Sequence, residues 1–72
     1  MKVVYLVGWS PGCDKVGLND MLRARFNFTL GEAKKAVDNV LEGERVELHV
    51  HDDQLEVVSS ELETFCVKYE VT

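Results

Sequence analysis

Leu18, Met21, Leu22 and Phe26 fall at i, i+3, i+4 and i+8, one apolar stripe along a helix. Leu30, Ala33, Val37, Val40 and Leu41 resume that pattern after a short break. The break has a chemical cause. Asn27 tolerates a left-handed backbone, and Thr29 with Glu32 three residues later makes a capping box. The pattern predicts a helix ending near Phe26–Asn27 and a second starting at Leu30, with Phe26 and Phe28 filling the corner.

Upstream, Val3–Val7 is an unbroken apolar run with β-branched and aromatic members, the composition of a central strand. Gly8-Trp9-Ser10-Pro11-Gly12 is turn chemistry and is expected to end that strand. Asp14 can cap the first helix. Downstream, Gly43 supplies a helix stop, and Arg45–Val50 alternates with Val46, Leu48 and Val50 on one side. His51-Asp52-Asp53 makes a corner, where Asp53 and Glu56 repeat the capping logic. Leu55, Val58, Leu62 and Phe65 then mark a third helix, and Val67, Tyr69 and Val71 a closing strand.

The expected order is strand, helix, helix, strand, helix, strand. An α+β, two-layer β-α-α-β-α-β fold satisfies it, with a three-stranded sheet and three helices on one face. Val3–Val7 belongs in the middle, and a right-handed crossover through the third helix links the two outer strands. Residues 1–72 read as a single small domain, without repeat, linker or low-complexity tract.

Charge changes the picture in two ways. A formal net charge of −5 makes nucleic acid and anionic membrane poor default partners. No apolar run approaches the roughly 20 residues of a membrane span, so a cytoplasmic location is expected. Because Met1-Lys2 opens straight into a strand, a free-standing small protein is expected as well. Charge is also unevenly placed. Residues 15–35 hold five bases (Lys15, Arg23, Arg25, Lys34 and Lys35) against Asp20 and Glu32, whereas residues 36–72 hold two bases against ten acids. A basic helix pair on an acidic body would steer toward a partner's acidic surface. The competing reading is an ordinary solvated helix face.

Nothing in the sequence assembles a reaction. Cys13 beside Asp14 has no histidine near it in sequence, so no nucleophile–base pair forms. Gly8, Gly12 and Gly17 match neither phosphate-loop nor dinucleotide spacing. His49 and His51, with Asp52 and Asp53, could approach a divalent metal, but clearer spacing and more cysteine mark zinc sites, and no metal or other cofactor is expected. Cys13 and Cys66 lie far apart in sequence and read as idle thiols. Trp9 reads as a lid folded back on the core, or else as an exposed contact residue.

From Lys15 the chain resembles the C-terminal domain of the bacterial ribosomal stalk protein. The likeness rests on Lys15, Arg23 eight residues on, and the corner Asn27-Phe28-Thr29-Leu30-Gly31-Glu32-Ala33-Lys34, aligned without a gap. It continues through Val37, and SELETFCVKYEV fits the family's ending. The resemblance implies the fold above and a non-enzymatic protein-binding face on the first two helices, which in that family touches translational GTPases. Carried over residue by residue, the face comprises Lys15, Val16, Arg23 and Lys34, with Gly17 expected as an exposed glycine that admits another backbone. The chain departs from the family at Asn27 and Thr29, which replace glycines, at Asn19 and Asp20, and at Gly31. The family's N-terminal dimerisation helices and hinge are not in this sequence. The ClpS protease adaptor shares the fold and has a longer second strand, as GERVELHVHDD has here. Its degron-pocket residues have no counterparts at Gly8-Trp9-Ser10-Pro11 or Val40-Leu41, so an adaptor-like alternative would use the Trp9 loop or the Arg45–Val50 edge strand.

Overall fold

The computed structural model describes residues 1–72. Its elements are β1 (Lys2–Trp9), α1 (Lys15–Phe26), α2 (Leu30–Leu41), β2 (Val46–Val50), α3 (Leu55–Thr64) and β3 (Val67–Val71). The sheet is antiparallel with order β2-β1-β3, so the apolar first strand is central. Alternation decides which face is covered. Val4, Leu6, Leu48 and Val50 point into the core and are buried, while Val3, Tyr5 and Val7 are half-buried, and Glu47 and His49 are exposed. Helices therefore lie on one face. Leu18, Met21 and Leu22 of α1, Ala33, Ala36, Val37 and Val40 of α2, and Val58 and Leu62 of α3 complete a single core with Val67. Each fully buried Leu or Val contributes about 1.5–3 kcal/mol. No helix is long and apolar enough to cross a membrane.

The α1–α2 corner forms as the sequence predicts. Asn27 adopts φ 56°, ψ 30° and its N–H closes α1 onto the Leu22 carbonyl. Thr29 N–H donates to Glu32 Oε1 at 2.9 Å, and Glu32 N–H donates to Thr29 Oγ1 at 3.1 Å. Phe26 and Phe28 pack in the corner with ring centroids 6.2 Å apart. Gly43, at φ +83°, ends α2.

Three local expectations need correction. First, β1 does not stop at Val7 but runs through Gly8 and Trp9, because β3 continues to pair with it, Lys68 opposite Gly8 and Val67 opposite Trp9. The register jumps between Leu6 and Gly8, so Val7 is the extra residue of a bulge. Trp9 thereby shares a face with buried Val67, and the tight turn moves on to Pro11-Gly12. Second, Asp53 and Glu56 make no capping box. A 3-10 turn over Asp52–Gln54 leads into α3, with Gln54 N–H on the His51 carbonyl and Leu55 N–H on that of Asp52. The turn carries helical backbone through Asp53, so Asp53 is not an N-cap and no side chain caps α3. Third, β2 begins at Val46, one residue later than its alternation suggests.

Candidate functional site

Two stripes converge between α1 and α2. Lys15, Val16 and Asn19 from the first turns of α1, and Lys34, Val37, Asp38 and Leu41 from α2, line a groove of about 360 Å³. The spacing 34, 37, 38, 41 is one helical line, as is 15, 16, 19 on its partner. Capping positions both stripes. Asp14 Oδ1 accepts the Gly17 N–H at 2.8 Å and fixes where α1 starts. The Thr29–Glu32 box does the same for α2. Hydrogen bonds to the Glu32 carboxylate, from the Thr29 backbone N–H first and from the Thr29 side chain second, hold it below the usual glutamate range.

Chemically the groove is apolar at its base and charged along its walls. Val16 is 71% exposed although it is aliphatic, and Leu30, one turn before Lys34, is 62% exposed. Lys15 and Lys34 engage in no ion pair or side-chain hydrogen bond. Arg23 is equally free. It lies outside the lining but one turn beyond Asn19, so it extends the same stripe. Asp38 sets one carboxylate among the lining residues, so the face is less uniformly basic than the sequence count implies.

The other expected residues are placed differently. Gly17 is not an open glycine. It is half-buried, and a β-carbon there would lie 2.6 Å from Asp14 Oδ2 and 2.7 Å from a Phe65 ring carbon. Its bare backbone serves the Asp14 cap and α3 packing, and it faces a separate hollow with Asp20, Met21, Ala24, Arg25, Glu61 and Phe65. Arg25 is also spoken for. Its Nε and Nη2 both reach Glu61 Oε1 at 2.5 Å, and Nη1 donates to Gln54 Oε1 at 3.3 Å. Trp9 folds toward the helices, and its indole N–H donates to the Leu41 carbonyl at 3.2 Å. It thus stands at the Leu41 end of the groove with 40% of its surface exposed, so the two expected binding regions are neighbours.

His49 and His51 line a third hollow of about 200 Å³ with Arg25, Asn27 and Gln54. His49 Nε2 sits 2.7 Å from Glu47 Oε2. No group of three or more His, Cys, Asp or Glu side chains is gathered closely enough to hold a metal ion. The reading from sequence missed Val37, Asp38 and Leu41 as lining residues. Their i, i+3, i+4 and i+7 spacing from Lys34 was the signal that would have found them.

The sequence matches no protein-family model and no curated protein with significance.

Proposed function

We propose that this chain is a non-enzymatic protein-interaction module that docks an acidic protein surface across the α1–α2 groove. The observation that carries the reading is the coincidence of exposed Val16 with Lys15 and Lys34, two cations without partners, around one groove. An aliphatic contact flanked by unpaired bases fits a partner surface that pairs an apolar side chain with carboxylates. Lys15, Val16, Arg23 and Lys34 contact the partner. Gly17 acts indirectly, by letting Asp14 cap the helix that presents them. The resemblance to the ribosomal stalk C-terminal domain supports the same face and makes a translational GTPase the first partner to test. A cytoplasmic protein that uses neither cofactor, metal, nucleic acid nor membrane goes with this reading. A ClpS-like adaptor using Trp9 is the second reading, and the contact of Trp9 with Leu41 favours it only as an extension of the groove.

The test is a titration of the isotope-labelled chain with a purified bacterial translational GTPase, followed by NMR at low and moderate salt. Shifts should cluster on α1 and α2 and weaken as salt rises. Arg23→Glu/Lys34→Glu should lose about tenfold or more in affinity with unchanged thermal stability. Equal affinity of the two proteins, or no binding by either, would sink the reading. Shifts confined to Trp9 would favour the adaptor alternative.

A further inference from the structure

We propose that Cys13 and Cys66 form a reversible intrachain disulfide, a redox modification site loaded by low-molecular-weight disulfides. The two residues are 53 positions apart, yet the backbone binds them together. Ser10 N–H donates to the Cys66 carbonyl at 2.9 Å, Asp14 N–H to the Phe65 carbonyl at 3.1 Å, and Cys13 N–H to the Ser10 carbonyl at 3.1 Å. The bond from Asp14 to Phe65 joins peptide unit 13–14 to peptide unit 65–66. In a trans peptide, the α-carbon preceding an N–H lies on the hydrogen's side, and the α-carbon following a carbonyl lies on the oxygen's side. All peptides here are trans, so the α-carbons of Cys13 and Cys66 both sit beside that one hydrogen bond. Cys66 turns there at φ 60°, just before β3, and lies close enough for its charge to act on the Cys13 thiol. Disulfides join residues whose α-carbons are about 4.4–6.8 Å apart, the scale of two residues tied through one hydrogen bond.

The side chains differ as the partners in such a reaction should. Both are free thiols, Cys66 exposed and Cys13 half-buried against the core. Burial raises the Cys13 thiol above the ordinary range, and negative charge on nearby Cys66 and Asp14 raises it further. Cys66 therefore reacts first. Its thiolate attacks one sulfur of oxidised glutathione, breaking that S–S bond and releasing one glutathione thiolate. Cys13 then gives its proton to solvent, attacks the Cys66 sulfur of the mixed disulfide and expels the second glutathione. One small disulfide and two protein thiols become one protein disulfide and two glutathione thiols. The product ties the loop before α1 to the α3–β3 turn, on either side of the contact between Gly17 and Phe65. The proposal stands independently of the docking reading.

The test uses the intact wild-type chain at low micromolar concentration, equilibrated with oxidised glutathione, alkylated and weighed by mass spectrometry. The expected product is a monomer lighter by two hydrogens with no alkylatable thiol, melting about 10 °C or more above the reduced chain. Cys13→Ser should instead stop at a glutathione adduct on Cys66. Three results overturn the proposal: wild type that accumulates stable glutathione adducts, disulfide-linked dimers in place of the monomer, or an internal bond that lowers the melting temperature.

Discussion

Helix α1 has two flanks, and they use the same residue types to opposite ends. Toward α2 lie Lys15, Arg23 and Lys34 without ion partners, an exposed Val16 and an open groove. Toward α3, Arg25 closes on Glu61 and Gln54, and Gly17 is filled by the Asp14 carboxylate and the Phe65 ring. One flank spends its polar groups on internal contacts and the other leaves them to solvent. A protein can use a surface for recognition only where the fold has not already satisfied it. The difference between the flanks, more than the number of bases in the helix pair, supports placing the proposed partner on the α2 side.

The strongest contrast lies in how the two flanks start their helices. Thr29→Ala removes the cap of α2 and should cost about 1–2 kcal/mol in urea unfolding. Asp53→Ala, at the apparent equivalent ahead of α3, should cost close to nothing, because α3 has no side-chain cap to lose. Acid gives a second readout. The folded-state pKa of Glu32 is depressed, so its stabilising contribution is present above the ordinary glutamate range and is lost as pH falls through the folded value. The gap in melting temperature between wild type and Thr29→Ala should therefore narrow below about pH 4. An equal loss at Asp53 would erase the contrast.

The same two junctions show what could be read from sequence. At the α1–α2 corner every decision is local. Asn27 takes its left-handed φ and Thr29 meets Glu32 within one turn, so residue types and spacing suffice. Strand order was legible too, since only Val3–Val7 is apolar enough for a central position. The errors arose where a distant segment intervenes. Gly8-Trp9 looks like a turn until β3 pairs with it and a bulge rotates Trp9 toward α2. Gly17 looks like open backbone until Phe65 arrives from α3, and Cys13 looks solitary until the α3–β3 turn closes on its loop. Asp53 failed for another reason, because the 3-10 turn carries helical backbone through it and leaves it no N-cap position. For the candidate site, Lys15, Val16 and Lys34 were found together in one groove, but which arginine stays free depends on Glu61, whose approach no spacing within α1 can reveal.

Glycine replacement gives a smaller contrast, with opposite signs on the two flanks. A β-carbon added at Gly31 in α2 would meet nothing within 4 Å, so Gly31→Ala should stabilise by about 0.5–1 kcal/mol through helix propensity. Gly17→Ala gains the same propensity term, but it must displace the Asp14 carboxylate and the Phe65 ring. Losing that cap costs about 0.5–1 kcal/mol and repacking the ring about 1 kcal/mol, for a net loss of about 1 kcal/mol. Differential scanning calorimetry of the pair checks the signs. Stabilisation by both would mean that the α3 flank has room to spare at Gly17, and its polar contacts would count for less.

The smallest effect separates two arginines on one helix. Arg25 and Glu61 are both partly exposed, so solvent screens the pair and Arg25→Ala should cost about 0.5–1 kcal/mol, less at high salt. Arg23→Ala should leave stability within about 0.5 kcal/mol of wild type, since the side chain has no partner to lose. Binding should invert that order: Arg23→Ala weakens the interaction with an acidic partner, and Arg25→Ala leaves it nearly unchanged. Measured together, stability and affinity should sort the arginines into opposite roles. If Arg25 proved the more important for binding, its bond to Glu61 would have to open when the partner arrives. Recognition would then belong to the α3 flank, where the hollow between Gly17 and Phe65 takes the place of the α1–α2 groove.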